Sequence, residues 1–378
     1  MKTMQWVLVL TLAGTLTAWS DDLLIQSFDT SGKVTFNTVT NAVGYRVEWA
    51  STAGGAWTNF GLPSLDQIPA TGSGIVTASV PMLYRVVATV NTASPPPGMV
   101  LILAGSFVMG NATNVFPASE GNPNELPQHT VYVSSFYMER YKVTKALWDE
   151  VKTWAATNGY AFNNPGEGKA TNHPVHTVDW YDCVKWCNAR SQRDGLTPAF
   201  YTDSGLSVVY KSNSVSPYVN WSANGYRLAT EAEWEKAARG GVANTRFPWT
   251  DYTNRISHVK ANYYGQKSSH SYDLSSGWHP AYYVGDAPYT SPVGSFAPNG
   301  YGLYDMVGNI QEWVWDWYDG NYYLSSPGTD PKGATSSVWR VRRGAGWSAD
   351  DMRCSYRYGD YGPDDQSFVV GFRCARGL

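Results

Sequence analysis

The chain has 378 residues, enough for two domains with cores of ordinary size. Its formal net charge is −3, which gives no basis for a nucleic-acid partner or for attraction to an acidic membrane. With 36 Gly, 26 Tyr and 17 Trp but only 16% charged residues, the composition favours a loop-rich, aromatic-rich fold of a kind common outside the cell.

The N-terminus carries a pattern typical of export. Lys2 precedes a short apolar run, and Ala18-Trp19-Ser20 forms a small-x-small cleavage pattern, which predicts a secretory signal peptide over residues 1–20. A transmembrane anchor is the alternative, but the run is short for a span of roughly 20 residues. No later segment is apolar enough to cross a membrane. We expect a secreted, periplasmic or cell-surface protein.

Residues 21–92 contain short apolar or alternating stretches separated by Gly and Asn turns, among them GKVTFNTV, GYRVEWAS and MLYRVVATV. They predict a small all-β sandwich. The segment resembles a fibronectin type III-like module, and a generic β-sandwich is the alternative. Either interpretation implies a spacer or adhesive unit without chemistry. Residues 93–98 are predicted to be a Pro-rich linker.

Residues 99–378 are predicted to form a second domain with little regular structure. KALWDEVKTWAATNG has helical spacing and ends at Gly159, and DWYDCVKWCNARSQRDG predicts a second helix closed by Gly195. RLATEAEWEKAARGG predicts a third helix, with Thr230 as N-cap and Glu233 completing a capping box.

The aromatic and histidine patterns of this domain favour structural roles. Trp313, Trp315 and Trp317 recur at period two in WVWDWY, which predicts an aromatic core strand. The six histidines show no metal-ligand spacing, and His173 and His176 are interpreted as structural. Neither a Ser-His-Asp arrangement nor a Gly-rich phosphate loop is indicated.

Seven motifs follow one another in the second domain: GMVLILAGSFVMG, YKVTKALW, HPVHTVDWYDCVKWCNA, YRLATEAEWEKAARGG, PVGSFAPNGYGLYDMVGNIQEWVWDWY, RVRRGAGW and GFRCA. Together they resemble the formylglycine-generating enzyme, or sulfatase-modifying factor, family. The resemblance implies an α+β fold of the C-type lectin type, with short helices packed around small antiparallel sheets and many loops. The family includes cysteine oxidases, iron-dependent sulfoxide synthases and binding domains, so the site must decide the function.

The resemblance implies where an oxidase would hold copper. Family oxidases carry Gly-Gly-Ser followed by two cysteines five positions apart, and the two soft thiolates bind Cu(I). Here the first motif reads Gly344-Ala345-Gly346, so Gly346 replaces the serine. Ala349 takes the first cysteine position and Cys354 the second. With one ligand missing, we expect neither a copper site nor catalytic residues.

The four cysteines are expected to form disulfides in an exported protein. Cys183 and Cys187 lie four apart on one helix face, which is poor geometry for joining each other. The resemblance pairs Cys187 with Cys374, which leaves Cys183 for Cys354. A tetrathiolate zinc site and a free reactive Cys354 are the alternatives.

Oxygen-rich segments predict structural Ca²⁺, because Ca²⁺ prefers hard oxygen ligands. The resemblance supports a first site in LYDMVGNIQEW, with ligands from Asp305, Glu312 and the carbonyls of Gly308 and Ile310. A second site is predicted at Asn262, the Tyr263 carbonyl and Asp273. Without calcium, Glu312 would cap a turn and Asp305 would be solvated.

These observations favour a non-catalytic protein that binds an extracellular protein, peptide or glycan. The alternatives are a formylglycine-generating oxidase and a surface-variable binding protein of the retroelement-diversified type. The stretch from Trp347 to Phe368 is rich in Ser, Asp, Tyr and Gly, residue types of adaptable binding surfaces. Arg and aromatic residues are common binding anchors. The predicted groove consists of Trp313, Trp347, Arg353, Tyr356, Arg357 and Tyr358.

Overall fold

The computed structural model describes seven strands between residues 25 and 90 by their backbone, and then residues 95–112, 120–251 and 253–378. The predicted signal peptide and residues 93–94 of the predicted linker lie outside the described residues. The chain divides into two compact units, Met1–Ser94 with Leu103–Gly105, and Pro95–Ile102 with Ser106–Leu378.

The first unit contributes antiparallel strands, as its sequence predicts. They are β1 (Ile25–Phe28), β2 (Lys33–Phe36), β3 (Ala42–Ala50), β4 (Thr58–Asn59), β5 (Ile68–Pro69), β6 (Gly74–Thr77) and β7 (Leu83–Val90). One sheet has the order β1-β2-β6, and in the other β3 pairs with β4, β5 and β7. Whether the unit is a fibronectin type III-like sandwich stays a prediction.

The second unit combines three helices with many short strands. The helices are α1 (Lys145–Ala156), α2 (Trp180–Arg193) and α3 (Glu231–Arg239). The strands are β8 (Met99–Ile102), β9 (Gly105–Met109), β10 (His129–Val133), β11 (Phe136–Glu139), β12 (Phe200–Tyr201), β13 (Tyr218–Val219), β14 (Tyr226–Leu228), β15 (Gly265–Gln266), β16 (Ser276–Gly277), β17 (Gln311–Trp317), β18 (Arg340–Arg343), β19 (Val370–Gly371) and β20 (Cys374–Arg376).

These strands form small sheets, as the α+β expectation requires. The largest has the order β14-β20-β11-β8 and is antiparallel throughout. In the sheet β18-β17-β19, β17 runs antiparallel to β18 and parallel to β19. Two-stranded ribbons join β9 with β10, β12 with β13, and β15 with β16. None of the helices in the described residues is both long and apolar enough to cross a bilayer.

Local side-chain caps explain why the three helices begin where the sequence predicts. Thr144 and Asp179 accept hydrogen bonds from the backbone N–H groups of the first turns of α1 and α2. Thr230 and Glu233 form the predicted capping box of α3. Gly240 ends α3 with φ of 58°, a left-handed conformation that glycine adopts without a Cβ penalty.

Arginines of β18 stack on aromatic rings around β17 and join the two strands. The guanidinium of Arg340 lies between the rings of Trp180, at 3.6 Å, and Trp317, at 3.4 Å. Arg342 lies 3.7 Å from the centroid of Tyr361. Such cation–π contacts are stronger when they are desolvated. The contact between Arg342 and Tyr361 therefore helps to fix the segment that follows β18 against the sheet.

Candidate functional site

Two arginines of the predicted groove lie in the core instead. Arg353 donates to both oxygens of Glu125, at 2.6 and 2.8 Å, and is 2% exposed. Arg357 donates to both oxygens of Glu231, at 2.6 and 2.8 Å, and is also buried. Bidentate pairing satisfies these guanidinium groups inside the protein. The prediction that they anchor a ligand is therefore wrong.

Of the other four residues of the predicted groove, some lie in the core and some reach the surface. Trp313 is buried and donates its indole N–H to the carbonyl of Val178 at 3.1 Å, so it supports the core. Tyr356 and Tyr358 are half-buried and pack edge to face with centroids 4.5 Å apart. Of the six predicted residues, Trp347 is the one that lies in an aromatic cluster reaching the surface.

Trp347 is 4% exposed and is surrounded by aromatic rings. The ring centroids of Tyr289, Trp278 and Phe368 lie 5.0, 5.3 and 5.9 Å from its own. Tyr264 packs on Trp278 at 4.5 Å and Tyr283 packs on Tyr289 at 4.6 Å. We call the set around Trp347 the aromatic rim; it consists of Tyr264, Trp278, Tyr283, Tyr289 and Phe368.

Two rings of the aromatic rim are exposed to solvent, and the other three are half-buried. Tyr283 is 53% exposed and Phe368 is 49% exposed. Sequence reasoning missed Trp278, Tyr283 and Tyr289, because they come from an irregular segment without helical or strand periodicity. The cluster of aromatic residues in GWHPAYYVGDAPY was the available signal. Exposed aromatic surface of this kind marks binding sites.

Three buried polar atoms, on residues linked to the rim by sequence or by hydrogen bonds, make no hydrogen bond within the described part of the chain. They are Trp347 Nε1, Ser291 Oγ and His176 Nε2, and we call them the polar trio. Unpaired buried polar groups are rare in folded proteins. The Trp347 indole N–H lies within the exposed aromatic cluster itself, and there it offers an unused donor to a polar ligand or to water.

Hydrogen bonds through Asn309 link the backbones of Trp347 and Ser291. The backbone N–H of Trp347 donates to the carbonyl of Asn309 at 2.8 Å. The Asn309 side chain accepts from the N–H of Ser291 and donates to its carbonyl, each at 3.1 Å. Thr290, between Tyr289 and Ser291, has its hydroxyl 2.8 Å from Nδ1 of His173.

His176 is linked to the rim indirectly, through Thr177. Its Nδ1 lies 2.8 Å from the hydroxyl of Thr177, and the backbone N–H of Thr177 donates to the carbonyl of Ser367, next to Phe368. Burial lowers the pKa of His176 to about 4, so the ring is neutral at pH 7. Thr177 has φ of 57°, a strained conformation for a β-branched residue, and such strain clusters at functional sites.

The copper positions implied by the family resemblance do not fit copper. Cys354 is fully buried in the cluster with Glu235, Arg239 and Arg343, and burial raises the pKa of its thiol to about 12. Cu(I) is bound by thiolates, and this thiol is protonated at neutral pH. Ala349 supplies no second sulfur.

The four cysteines are thiols in the structure and all are buried. The sulfurs of Cys187 and Cys374 are 3.7 Å apart, so this predicted pair is in contact. Cys183 packs in the same core cluster, whereas Cys354 packs in the other. The structure does not bring Cys183 and Cys354 together, because α2 faces the sheet that holds β20 and Cys354 lies against α3.

The first predicted calcium site is filled by protein cations. Glu312 is fully buried and accepts from Lys142, from Nε1 of Trp234 at 2.9 Å, and from Arg373 at 2.8 and 2.9 Å. These cations hold the pKa of Glu312 at about 2 although burial opposes this. Asp305 is buried rather than solvated, and burial raises its pKa. These groups, with Gly308 and Ile310, do not fit Ca²⁺.

The second predicted calcium site is occupied by hydrogen-bond donors. Asp273 accepts from the Tyr263 hydroxyl and from the backbone N–H groups of Ser275, at 2.9 Å, and Gln266, at 2.6 Å. The Asn262 amide donates to the carbonyl of Tyr289 at 2.8 Å. Within the described residues, no three His, Cys, Asp or Glu side chains are placed to hold a metal ion.

Comparison with known proteins agrees with the fold. The model of the family described as sulfatase-modifying factor enzyme 1-like domain matches residues 85–378. Formylglycine-generating enzyme of Streptomyces coelicolor is 32% identical over 297 residues, 74% of this chain and 88% of that protein. Chaperone protein LppX of Paenibacillus barcinonensis is 32% identical over 234 residues, 60% of this chain and 75% of that protein. The solved structure of Treponema denticola variable protein 1 superposes with a TM-score of 0.55 at 26% identity, covering 74% of this chain and 95% of the other.

Proposed function

The chain belongs to the sulfatase-modifying factor enzyme 1-like domain family, and from that premise we propose that it is a non-catalytic member that binds a ligand at the aromatic rim. The burial of Cys354 carries the proposal. Cys354 has no exposure, burial raises its pKa to about 12, and Ala349 supplies no second sulfur beside it, so the positions do not form a two-thiolate copper site. The domain keeps the family scaffold but lacks the sulfur pair that an oxidase needs.

The rim supports binding in place of oxidation. Exposed aromatic rings surround a nearly buried indole whose N–H has no partner within the described residues. Binding sites combine apolar walls with a few convergent polar groups, and the rim with the polar trio has both features. The sequence of residues 1–20 favours export, so we propose that the ligand is extracellular.

The alternative function, a surface-variable binding protein, has less support, because several residues that would have to vary are buried. The similarity to Treponema denticola variable protein 1 favours this function. Within the stretch from Trp347 to Phe368, however, Met352, Arg353 and Arg357 are buried. Free variation at these positions would break the core, so variation would have to be confined to exposed positions such as Phe368.

Two experiments test the proposed function together. The copper-loaded protein is incubated with a cysteine-bearing sulfatase peptide, and mass spectrometry should show no aldehyde. Immobilised glycans and short peptides are then probed with the full chain and with a Tyr283→Ser, Phe368→Ser double variant. We expect specific binding that the double variant loses. An aldehyde product, or binding that the double variant retains, would overturn the proposal.

A further inference from the structure

We propose that the aromatic rim and the polar trio bind a neutral carbohydrate. This inference rests on the proposed function and specifies the class of its ligand. Two features support it: aromatic rings that reach the surface, and uncharged polar atoms without partners in the described part of the chain, on Trp347 and on residues linked to the rim.

Two pairs of rings at the rim lie nearly parallel. The planes of Trp278 and Tyr283 are inclined by 10°, and those of Trp347 and Phe368 by 25°. A pyranose ring presents flat patches of C–H groups that pack on such faces, while its hydroxyls point outward around the ring. Tyr and Trp suit this contact because each joins a large apolar body to a polar group.

The polar trio matches hydroxyl groups in particular. The indole N–H of Trp347 can only donate, the Ser291 hydroxyl can donate and accept, and His176 Nε2 does one or the other according to its tautomer. A sugar hydroxyl donates and accepts, so it complements any of the three atoms; because each atom is buried, rim side chains must move aside to admit it. Pairing them would remove the cost of leaving buried polar groups unsatisfied.

The charges near the rim favour a neutral ligand. Lys169 is committed to the carbonyl of Val284 at 2.8 Å and lies 5.5 Å from the ring centroid of Tyr289. Two carboxylates lie nearby. Glu167 is 3.5 Å from the Thr177 hydroxyl, and the pKa of Tyr289 is raised by desolvation and also by the negative charge of Asp286. The polar trio itself carries no charge at pH 7, because burial keeps His176 neutral. A phosphate or carboxylate ligand would therefore meet carboxylates and a committed cation.

The backbone beside the rim disfavours an extended peptide. Peptides that add to a sheet edge need unpaired main-chain groups. Here the N–H of Trp347 donates to Asn309, that of Ala349 to Gly346, and that of Tyr264 to the carbonyl of Ala349. The polar groups that remain here without a hydrogen-bond partner among the described residues are side-chain atoms, and these can pair with the hydroxyl groups of a ligand.

Calorimetric titration of the full chain with neutral oligosaccharides tests the inference. The probes are cello-, xylo-, malto- and laminari-hexaose, with oligogalacturonate and chitosan oligomers as acidic and basic comparators. We expect at least one neutral probe to bind, and the Tyr283→Ser, Phe368→Ser double variant to weaken binding by about tenfold or more. Ser291→Ala should weaken it to a smaller degree. Leu324→Ser, a control at a 72% exposed position outside the rim, should have no effect.

A site-specific readout accompanies the titration. The indole N–H resonance of Trp347, assigned by its loss in Trp347→Phe, should move when the neutral probe is added. If no neutral probe binds while a peptide binds and the rim variant loses it, the carbohydrate inference is overturned and the proposed function stands. Tighter binding of a charged comparator also overturns it. Aldehyde formation on the sulfatase peptide would instead overturn the proposed function.

Discussion

Arg373 holds Glu312 through two hydrogen bonds, from Nε to Oε2 at 2.8 Å and from a terminal nitrogen to Oε1 at 2.9 Å. Lys142 contacts the same carboxylate, and all three side chains are buried. Two protein cations thus neutralise a carboxylate that the sequence assigns to calcium. The domain stabilises this carboxylate with its own side chains.

Glu312→Gln should therefore destabilise the protein strongly. It leaves Lys142 and Arg373 buried without their counter-charge, and breaking a buried pair costs about 3–5 kcal/mol. Urea unfolding at pH 7 measures this change, with the exposed Glu167→Gln as control. Excess chelator should leave the melting temperature of the unaltered protein unchanged. A fall in melting temperature with chelator, restored by Ca²⁺, would contradict this account.

Non-reducing peptide mapping of the oxidised protein should reveal one disulfide, between Cys187 and Cys374. These sulfurs are in contact, whereas Cys183 and Cys354 pack in different clusters. The bridge would close a loop of 187 residues, which corresponds to about 5 kcal/mol in the chain-entropy model. Reductant should lower the stability of the unaltered protein but not that of a Cys187→Ser, Cys374→Ser variant. A bridge at Cys354 would refute the prediction.

The unaltered protein should not oxidise sulfatase cysteines, and neither should a Gly346→Ser, Ala349→Cys variant. A Cβ added at Gly346 meets its nearest neighbours at 3.5 Å, ordinary contact distance, so the variant should fold. Cys354 is fully buried in the packing around α3, and neither substitution exposes it, so we expect no accessible pair of sulfurs for copper. Loss of the peptide thiol with gain of an aldehyde, dependent on copper and oxygen, would show that either protein is an oxidase.

Acid should destabilise the protein partly through His176. The pKa of His176 is about 4 in the folded protein, whereas an exposed histidine has a pKa of 6.5. Between pH 4 and pH 6.5 the unfolded chain therefore binds more protons than the folded protein does. Stability is therefore lost as the pH falls from about 6.5 to about 4, by about 3 kcal/mol for this residue. Asp179 has its pKa raised to about 6 by burial and acts in the opposite sense.

The His176→Asn variant isolates this contribution. Unfolding free energies of both proteins are measured at pH 7 and pH 4, and the difference cancels the effect of Asp179. We expect the variant to lose less stability on acidification. An equal loss in both proteins would show that His176 is not buried in its neutral form.

Arg343 and Arg340 are both buried on β18 but have different partners. Arg343 pairs with Glu235, while Arg340 stacks on tryptophans and makes no ion pair within the described residues. Arg343→Met should destabilise the protein, because Glu235 loses one of its two cations, although Arg239 still pairs with it. Arg340→Met should cost less, because it removes a desolvated charge together with its ring contacts. Chemical unfolding of the two variants compares them, and the reverse order would contradict the argument.

The predicted groove shows where sequence reasoning fails for this protein. Arginines mixed with tyrosines are typical both of binding surfaces and of buried ion pairs. The deciding partners are distant in the chain, since Glu231 is 126 positions from Arg357 and Glu125 is 228 positions from Arg353. No local pattern reports such pairs. The true rim residues Trp278, Tyr283 and Tyr289 lie in an irregular segment and were missed for the same reason.

By itself the sequence determined the local structure and the family. A helix cap such as Thr230 with Glu233 acts over three residues. The spacing of Trp313, Trp315 and Trp317 reflects the two-residue period of a strand. Both patterns can therefore be recognised from the sequence alone. The tertiary structure decided which side chains face solvent. It paired the buried charges, placed Cys354 away from Cys183, and gathered Trp347 with the rim. Burial and ion pairing depend on residues brought together from distant parts of the chain, and only packing specifies those neighbours.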